Sequence, residues 1–229
     1  MRRTSSWTRA GLLMLVWGLT GPVQAGTVVY DFVADYSTTV GNPNGVWKYG
    51  YEASNGGALV LYTAHSSNAW LGNIGGDGTP AIWKNDTSSP AFGVAPGQVS
   101  LHPGPQNQPS IARWTAPSGI ASSIQIDGQF FAGDSGSMQV GIFKNNNWAS
   151  PLFQVTDHGS FSLTQTVAAG DTIDFAVYAW YAYGNTPLSA RITATTAPTA
   201  VPEPSTLISA AMAGLFGLAC AWRRRPRLF

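Results

Sequence analysis

The sequence predicts an all-β fold, an antiparallel sandwich or barrel, and three observations predict it. Between residues 26 and 196 short apolar runs recur between turns of Gly, Pro, Asn and Asp, some of these runs alternate at a period of two, and helical periodicity is almost absent. The expected strands, in order, cover 28–37, 46–53, 58–65, 81–84, 98–102, 110–116, 123–131, 138–144, 151–156, 160–167, 172–181 and 190–195. Along 46–53, Trp47, Tyr49 and Tyr51 fall on one side, as a sandwich interior or a stacking platform would need. The alternation is clearest later: Ile124, Ile126 and Gly128 oppose Ser123, Gln125 and Asp127, and Ile173, Phe175 and Val177 oppose Thr172, Asp174 and Ala176. One face of each strand is then core and the other wet. Ala169-Gly170-Asp171 is expected to join 161–163 to 173–175 as a hairpin, and Gly133-Asp134-Ser135-Gly136 to turn the chain between Phe131 and Met138. Residues 66–109, crowded with Gly and Pro, are expected to lie over the sandwich as long loops, where binding residues concentrate because a rigid scaffold holds them.

Both ends stand apart from this pattern. Arg2, Arg3 and Arg9 precede an apolar run over 12–19, and Val23-Gln24-Ala25 places small residues at a cleavage site, so 1–25 reads as a secretory signal peptide in helical form, cut between Ala25 and Gly26. At the other end Pro202-Glu203-Pro204 leads into an uncharged segment, 207–222, and then Arg223-Arg224-Arg225. Sixteen apolar residues fall slightly short of the roughly 20 that cross a bilayer core, and the arginines beyond would stay cytoplasmic. This tail closely resembles the PEP-CTERM sorting signal of Gram-negative bacteria. The resemblance implies a precursor held in the inner membrane by a transmembrane helix, recognition by an exosortase-type membrane protease, removal of the tail, and delivery to the cell surface or an extracellular polysaccharide matrix. The chain thus divides into a signal peptide (1–25), a β-sandwich domain (26–196), and a linker with the sorting signal (197–229).

With both ends set aside, five basic residues face ten acidic ones, a net charge of −5. Scattered cations make no basic stripe, which excludes nucleic acid and anionic lipid as partners of the domain. The single cysteine, Cys220, lies in the tail, so the domain has neither thiol nor disulfide and depends on packing alone. Residues 42–50, 102–104, 113–117 and 169–175 resemble phrases in secreted bacterial proteins bearing the same tail; that resemblance implies a jelly-roll-like sandwich and brings no activity with it.

The catalytic inventory is thin. Glycoside hydrolysis needs a carboxylate pair, and Glu52 is the one glutamate before Glu203. Asp127, Asp171 and Asp174 read as turn or outward strand residues, Gly133-Asp134-Ser135-Gly136 as a turn rather than a serine-protease motif, and no catalytic residue is expected. His65, His102 and His158 give no zinc spacing, and no cofactor is expected; a structural calcium ion fits the fold, with Asp77, Asp127 or Asp134 as ligands and no loop pattern to select among them. Aromatic residues remain. Trp114 and Trp180 sit in apolar strand context and are expected in the core, whereas Trp70, Trp83 and Trp148 fall in or beside polar loops and are expected to be exposed, able to stack on sugar rings. The sequence therefore supports a non-catalytic exported surface or matrix protein that binds carbohydrate, with extracellular polysaccharide as partner. The alternatives are a purely structural extracellular protein and, third, a polysaccharide-active enzyme.

Overall fold

Two antiparallel sheets face each other across a core of aromatic and branched side chains. The computed structural model describes residues 25–196 together with 211, 212 and 215. In chain order the elements are β1 (Thr27–Asp31), the single turn α1 (Phe32–Asp35), β2 (Trp47–Glu52), β3 (Leu59–Leu61), β4 (Ala64–His65), β5 (Ala69–Leu71), β6 (Ala81–Lys84), β7 (Val99–His102), β8 (Ser110–Thr115), β9 (Ile120–Phe130), β10 (Gln139–Lys144), β11 (Phe153–Thr156), β12 (Gly159–Thr166), β13 (Thr172–Tyr178) and β14 (Thr186–Thr196). The last eight strands pair as nested couples: β7 with β14, β8 with β13, β9 with β12 and β10 with β11. A long hairpin rolled up on itself pairs in this way, which is the jelly roll. The earlier strands widen both sheets. The first runs β12-β9-β14-β7-β6-β5-β4, with β1 also beside β14, and the second runs β11-β10-β13-β8-β2-β3.

Local chemistry explains where this differs from the expected strands. The run 28–37 stops being extended at Asp31, whose Oδ1 accepts from the N–H groups of Val33 and Ala34 at 3.1 Å each. That cap turns the chain into α1 and drives Phe32 into the core against Trp47. The run 58–65 divides between the sheets, β3 pairing with β2 and β4 with β5. β5 was not anticipated: three residues between Asn68 and Gly72 are too few to display a period. The turn at Ala169-Gly170-Asp171 forms, with the Asp171 N–H bonded to the Ala168 carbonyl at 3.0 Å, but it makes no hairpin. β12 lies in the first sheet and β13 in the second, so this turn carries the chain from one layer to the other. The same correction applies to residues 131–138, which cross from β9 to β10 between the sheets.

On the first sheet the expected alternation holds. Ile124 and Ile126 are buried, and Asp127 stands on the outer face, accepting from Ser162 Oγ at 2.7 Å and Gln125 Nε2 at 3.0 Å. The second sheet departs from it. Asp174, expected to face water, is fully buried, because Phe143, Tyr178 and Trp148 cover the outer face of that sheet.

The ends are described only in part. The sorting residues Pro202, Glu203, Pro204, Arg223, Arg224 and Arg225, and the signal peptide before Ala25, lie outside the described residues, and no described helix is long and apolar enough to cross a membrane. Gly26 is described: its N–H donates to Thr196 Oγ1 at 2.9 Å and its carbonyl accepts from the Thr196 N–H at 2.8 Å.

Candidate functional site

β6 is four residues long and alternates across the first sheet. Ile82 points inward and is fully buried; Trp83, one residue on, points outward. Its indole Nε1 donates to Asn185 Oδ1 at 2.7 Å, which fixes the ring at the floor of an open cleft of about 470 Å3. Four loops wall this cleft, bringing Asp77 and Thr79, Phe92, Asp134, and Tyr183 with Asn185, while Ala81 and His102 come from β6 and β7.

The wall bearing Phe92 is a tight hairpin. Ala91 and Val94 exchange backbone hydrogen bonds of 3.0 and 2.9 Å, and Phe92 and Gly93 between them both have positive φ, 51° and 74°. A two-residue turn of this kind suits Gly, whereas a large aromatic residue there is strained. The loop is nonetheless held from below by Asn85, whose Nδ2 donates to the carbonyls of Ser89 at 2.9 Å and Val94 at 2.8 Å. Phe92 is thereby presented with 70% of its surface exposed, its ring edge-on to Trp83 at 6.3 Å. Tyr183, which lines the same cleft, is 65% exposed and also left-handed, with φ 56°. Two strained, exposed aromatics in one cleft with a tryptophan mark a place where the fold sacrifices local stability for what it presents to solvent.

Glycines let the walls touch. A Cβ on Gly133 would stand 1.8 Å from the Asn185 carbonyl oxygen, and one on Gly93 would stand 2.1 Å from the Gly133 carbonyl carbon. The Asp134 N–H donates to the Asn185 carbonyl at 3.0 Å and the Gly136 N–H to the Tyr183 carbonyl at 3.0 Å. Gly133-Asp134-Ser135-Gly136 is thus a backbone ladder that sets Asp134 beside Tyr183 and Asn185.

Polar groups complete the lining. Asp77 Oδ1 accepts from Thr79 N at 3.0 Å and Thr79 Oγ1 at 2.8 Å, and its Oδ2 accepts from the Tyr181 hydroxyl. Burial pushes its carboxyl up, but these hydrogen bonds outweigh it and hold the group below the ordinary carboxylate value, so Asp77 is ionised. His102 Nδ1 lies 2.7 Å from the Pro103 carbonyl, so that nitrogen carries the proton and Nε2 is an acceptor; burial lowers the pKa of the ring and keeps it neutral near pH 7. Among the described residues no group of three or more His, Cys, Asp and Glu is placed to hold a metal ion, and of the calcium candidates Asp77 and Asp134 share the cleft while Asp127 stands on β9.

The three tryptophans singled out from the sequence do not come together. Trp83 is in the cleft. Trp70, on β5, is only 3% exposed: it points inward, its Nε1 donates to the Ser37 carbonyl at 2.8 Å, and its ring packs on Tyr49 and His65. Its expected exposure is corrected, because β5 pairs with β6 and faces the core. Trp148 is half-buried on the outer face of the second sheet, stacked on Phe143 at 4.1 Å and edge-on to Tyr178 at 4.9 Å. In that same layer lies an acid pair astride a guanidinium. Arg113 donates to Asp174 through Nε at 2.5 Å and Nη2 at 2.8 Å, and its Nη2 is 3.7 Å from Glu52 Oε1. Trp114 is in the core as expected, whereas Trp180 is 53% exposed beyond the end of β13. Phe92 went unnoticed in the sequence, although Phe92-Gly93 in a Pro-bounded loop was a legible turn signal, and Tyr183 counts among the aromatics without a pattern that singles it out.

Comparison with known proteins adds the decisive observation at the C-terminus, where a family model described as the PEP-CTERM protein-sorting motif matches residues 200–225. The chain carries a PEP-CTERM sorting motif. The PEP-CTERM match covers Pro202, Glu203, Pro204, Arg223, Arg224 and Arg225, and implies export, membrane anchoring and processing by an exosortase, a membrane enzyme. No curated protein matches the PEP-CTERM chain. Among solved structures, a family 35 carbohydrate binding module from Clostridium thermocellum aligns with a TM-score of 0.30 and 12% identity, over 42% of this chain and 75% of that one. A family GH115 4-O-methyl-alpha-glucuronidase with specificity for decorated arabinogalactans aligns at 0.30 and 7%, over 59% and 19%. A protein of the disulfide-linked pili of Bacillus endospore appendages aligns at 0.24 and 15%, over 38% and 84%.

Proposed function

We propose that this protein is a non-catalytic component of the cell surface or extracellular matrix of a Gram-negative bacterium, and that the cleft over Trp83 binds carbohydrate. The observation that carries the reading is that strained, exposed Phe92 and Tyr183 share one cleft with Trp83, Asn185, Asp134 and His102. Pyranose rings offer apolar C–H faces to such rings and hydroxyls to amide, carboxylate and imidazole acceptors, which is the mixture of apolar lining and few polar groups that fixes a small ligand's orientation. An exported protein processed at the membrane meets such ligands first in the polysaccharide around the cell.

Affinity electrophoresis through a panel of polysaccharides, the host's own matrix included, tests this. Wild type is expected to be retarded by at least one member, and Phe92→Ala and Tyr183→Ala to lose retention by about tenfold each, the size of one exposed aromatic anchor. Both side chains point into solvent, so melting is expected to move by no more than about 0.5 kcal/mol equivalent. A wild type retarded by nothing leaves the purely structural reading in possession.

A further inference from the structure

Resting on that reading, we infer that the cleft selects a saccharide bearing protonated amines, such as the hexosamine units of a deacetylated polysaccharide, over neutral and uronate-containing ones. The charges in the cleft are all of one sign. Asp77 and Asp134 line it, His102 is neutral in it, and no Lys or Arg among the described residues does so. The two carboxylates differ in what they have left to offer. Asp77 spends both oxygens on Thr79 and Tyr181 and contributes mainly its field. Asp134 Oδ1 accepts from the Ser135 N–H at 2.8 Å, while its Oδ2 accepts from no described residue and is free for an incoming ammonium group. An N–H bond to a carboxylate in a partly desolvated aromatic cleft is stronger than one to a hydroxyl, and the same carboxylates repel a uronate. The surroundings reinforce the preference, since the domain as a whole carries ten acids against five bases.

The experiment measures binding of the purified full-length protein to a lysine hexapeptide and to three oligosaccharides of equal length: a glucosamine hexamer, its fully N-acetylated counterpart and an oligogalacturonate. Asp134→Asn is run alongside, and each measurement is repeated in high salt. The glucosamine hexamer is expected to bind about tenfold more tightly than the N-acetylated one, with no detectable binding of the uronate. That margin should vanish in Asp134→Asn at unchanged melting temperature, and shrink in 1 M salt, where the Debye length is about 3 Å. Equal or tighter binding of the N-acetylated or uronate ligand overturns the selectivity and leaves carbohydrate binding standing. Retention of a lysine hexapeptide as strong as that of the glucosamine hexamer overturns the saccharide assignment. Absence of all binding overturns both.

Discussion

Replacing Arg113 with methionine is expected to cost about 3–5 kcal/mol of stability at pH 8, the penalty for stranding buried carboxylates without their cation. Asp174 and Glu52 are both fully buried, and one guanidinium, itself 15% exposed, serves them both. Asp174 holds it through two hydrogen bonds, whereas Glu52 has only the longer contact, the Gly56 N–H at 2.9 Å on Oε2, and an Oε1 with no hydrogen-bond partner. Charge balance then falls on Glu52. Burial, first, and the nearby Asp174 push its pKa from 4.5 up to about 7, against the Gly56 and Arg113 contacts that oppose the rise. The sign follows from proton counting. Between pH 4.5 and about 7 the folded state binds a proton there that the unfolded chain has released, so stability falls as pH rises through that window. Below it the group is neutral in both states and contributes nothing; above it the folded protein bears the full cost of a buried charge, about 3 kcal/mol. Two consequences can be measured by denaturant unfolding at several pH values. Glu52→Gln should be about as stable as wild type at pH 4.5 and more stable at pH 8, and the defect of Arg113→Met should shrink as pH falls and both acids take protons. A pH-independent Arg113→Met defect would mean that the side chain matters there for packing alone.

Trp70→Ala is expected to destabilise by about 3–5 kcal/mol, since it empties a large buried site and orphans the Ser37 carbonyl. A domain of this size has only about 5–15 kcal/mol in total, so the variant should melt far below wild type. The contrast lies with Phe92→Ala and Tyr183→Ala, which should melt almost as wild type does. A Trp70→Ala variant of native stability that lost saccharide binding would place the binding face at β4 and β5 instead.

Much of the fold was legible because alternation and turn residues are local. β6 was anticipated residue for residue, and most later strands to within a few positions, since Pro, Gly and Asn bound them. Strand pairing was not legible: a run such as 160–167 looks the same whether its neighbour is β13, as the adjacent turn suggested, or β9, thirty residues earlier in sequence. The period of two also says that faces differ without saying what covers them. Asp174 alternates like an outward residue, and it is buried because Phe143, Tyr178 and Trp148 cover that face, Phe143 and Trp148 brought there by β10 and the following loop. The placement of Trp70 and Trp180 failed for a related reason. Trp70 sits in a polar, Ser-rich stretch yet points inward through a three-residue strand, and Trp180 follows an apolar run but lies past the strand's end. Trp83, singled out beside the Gly-rich loops, lines the candidate cleft together with Asp77 and Phe92 of those loops. Sequence alone does not group Trp83 with its partners, because they come from residues 92, 134 and 183–185, which the fold gathers only in three dimensions.

Titration with the glucosamine hexamer, followed through the indole N–H resonances of the protein, tests the central claim most directly. The Trp83 resonance, whose proton is bonded to Asn185 at the floor of the cleft, is expected to shift in a saturable way, while those of the buried Trp47, Trp70 and Trp114 stay in place. A saturable shift of the Trp148 or Trp180 resonance with Trp83 unmoved would contradict the assignment of the site.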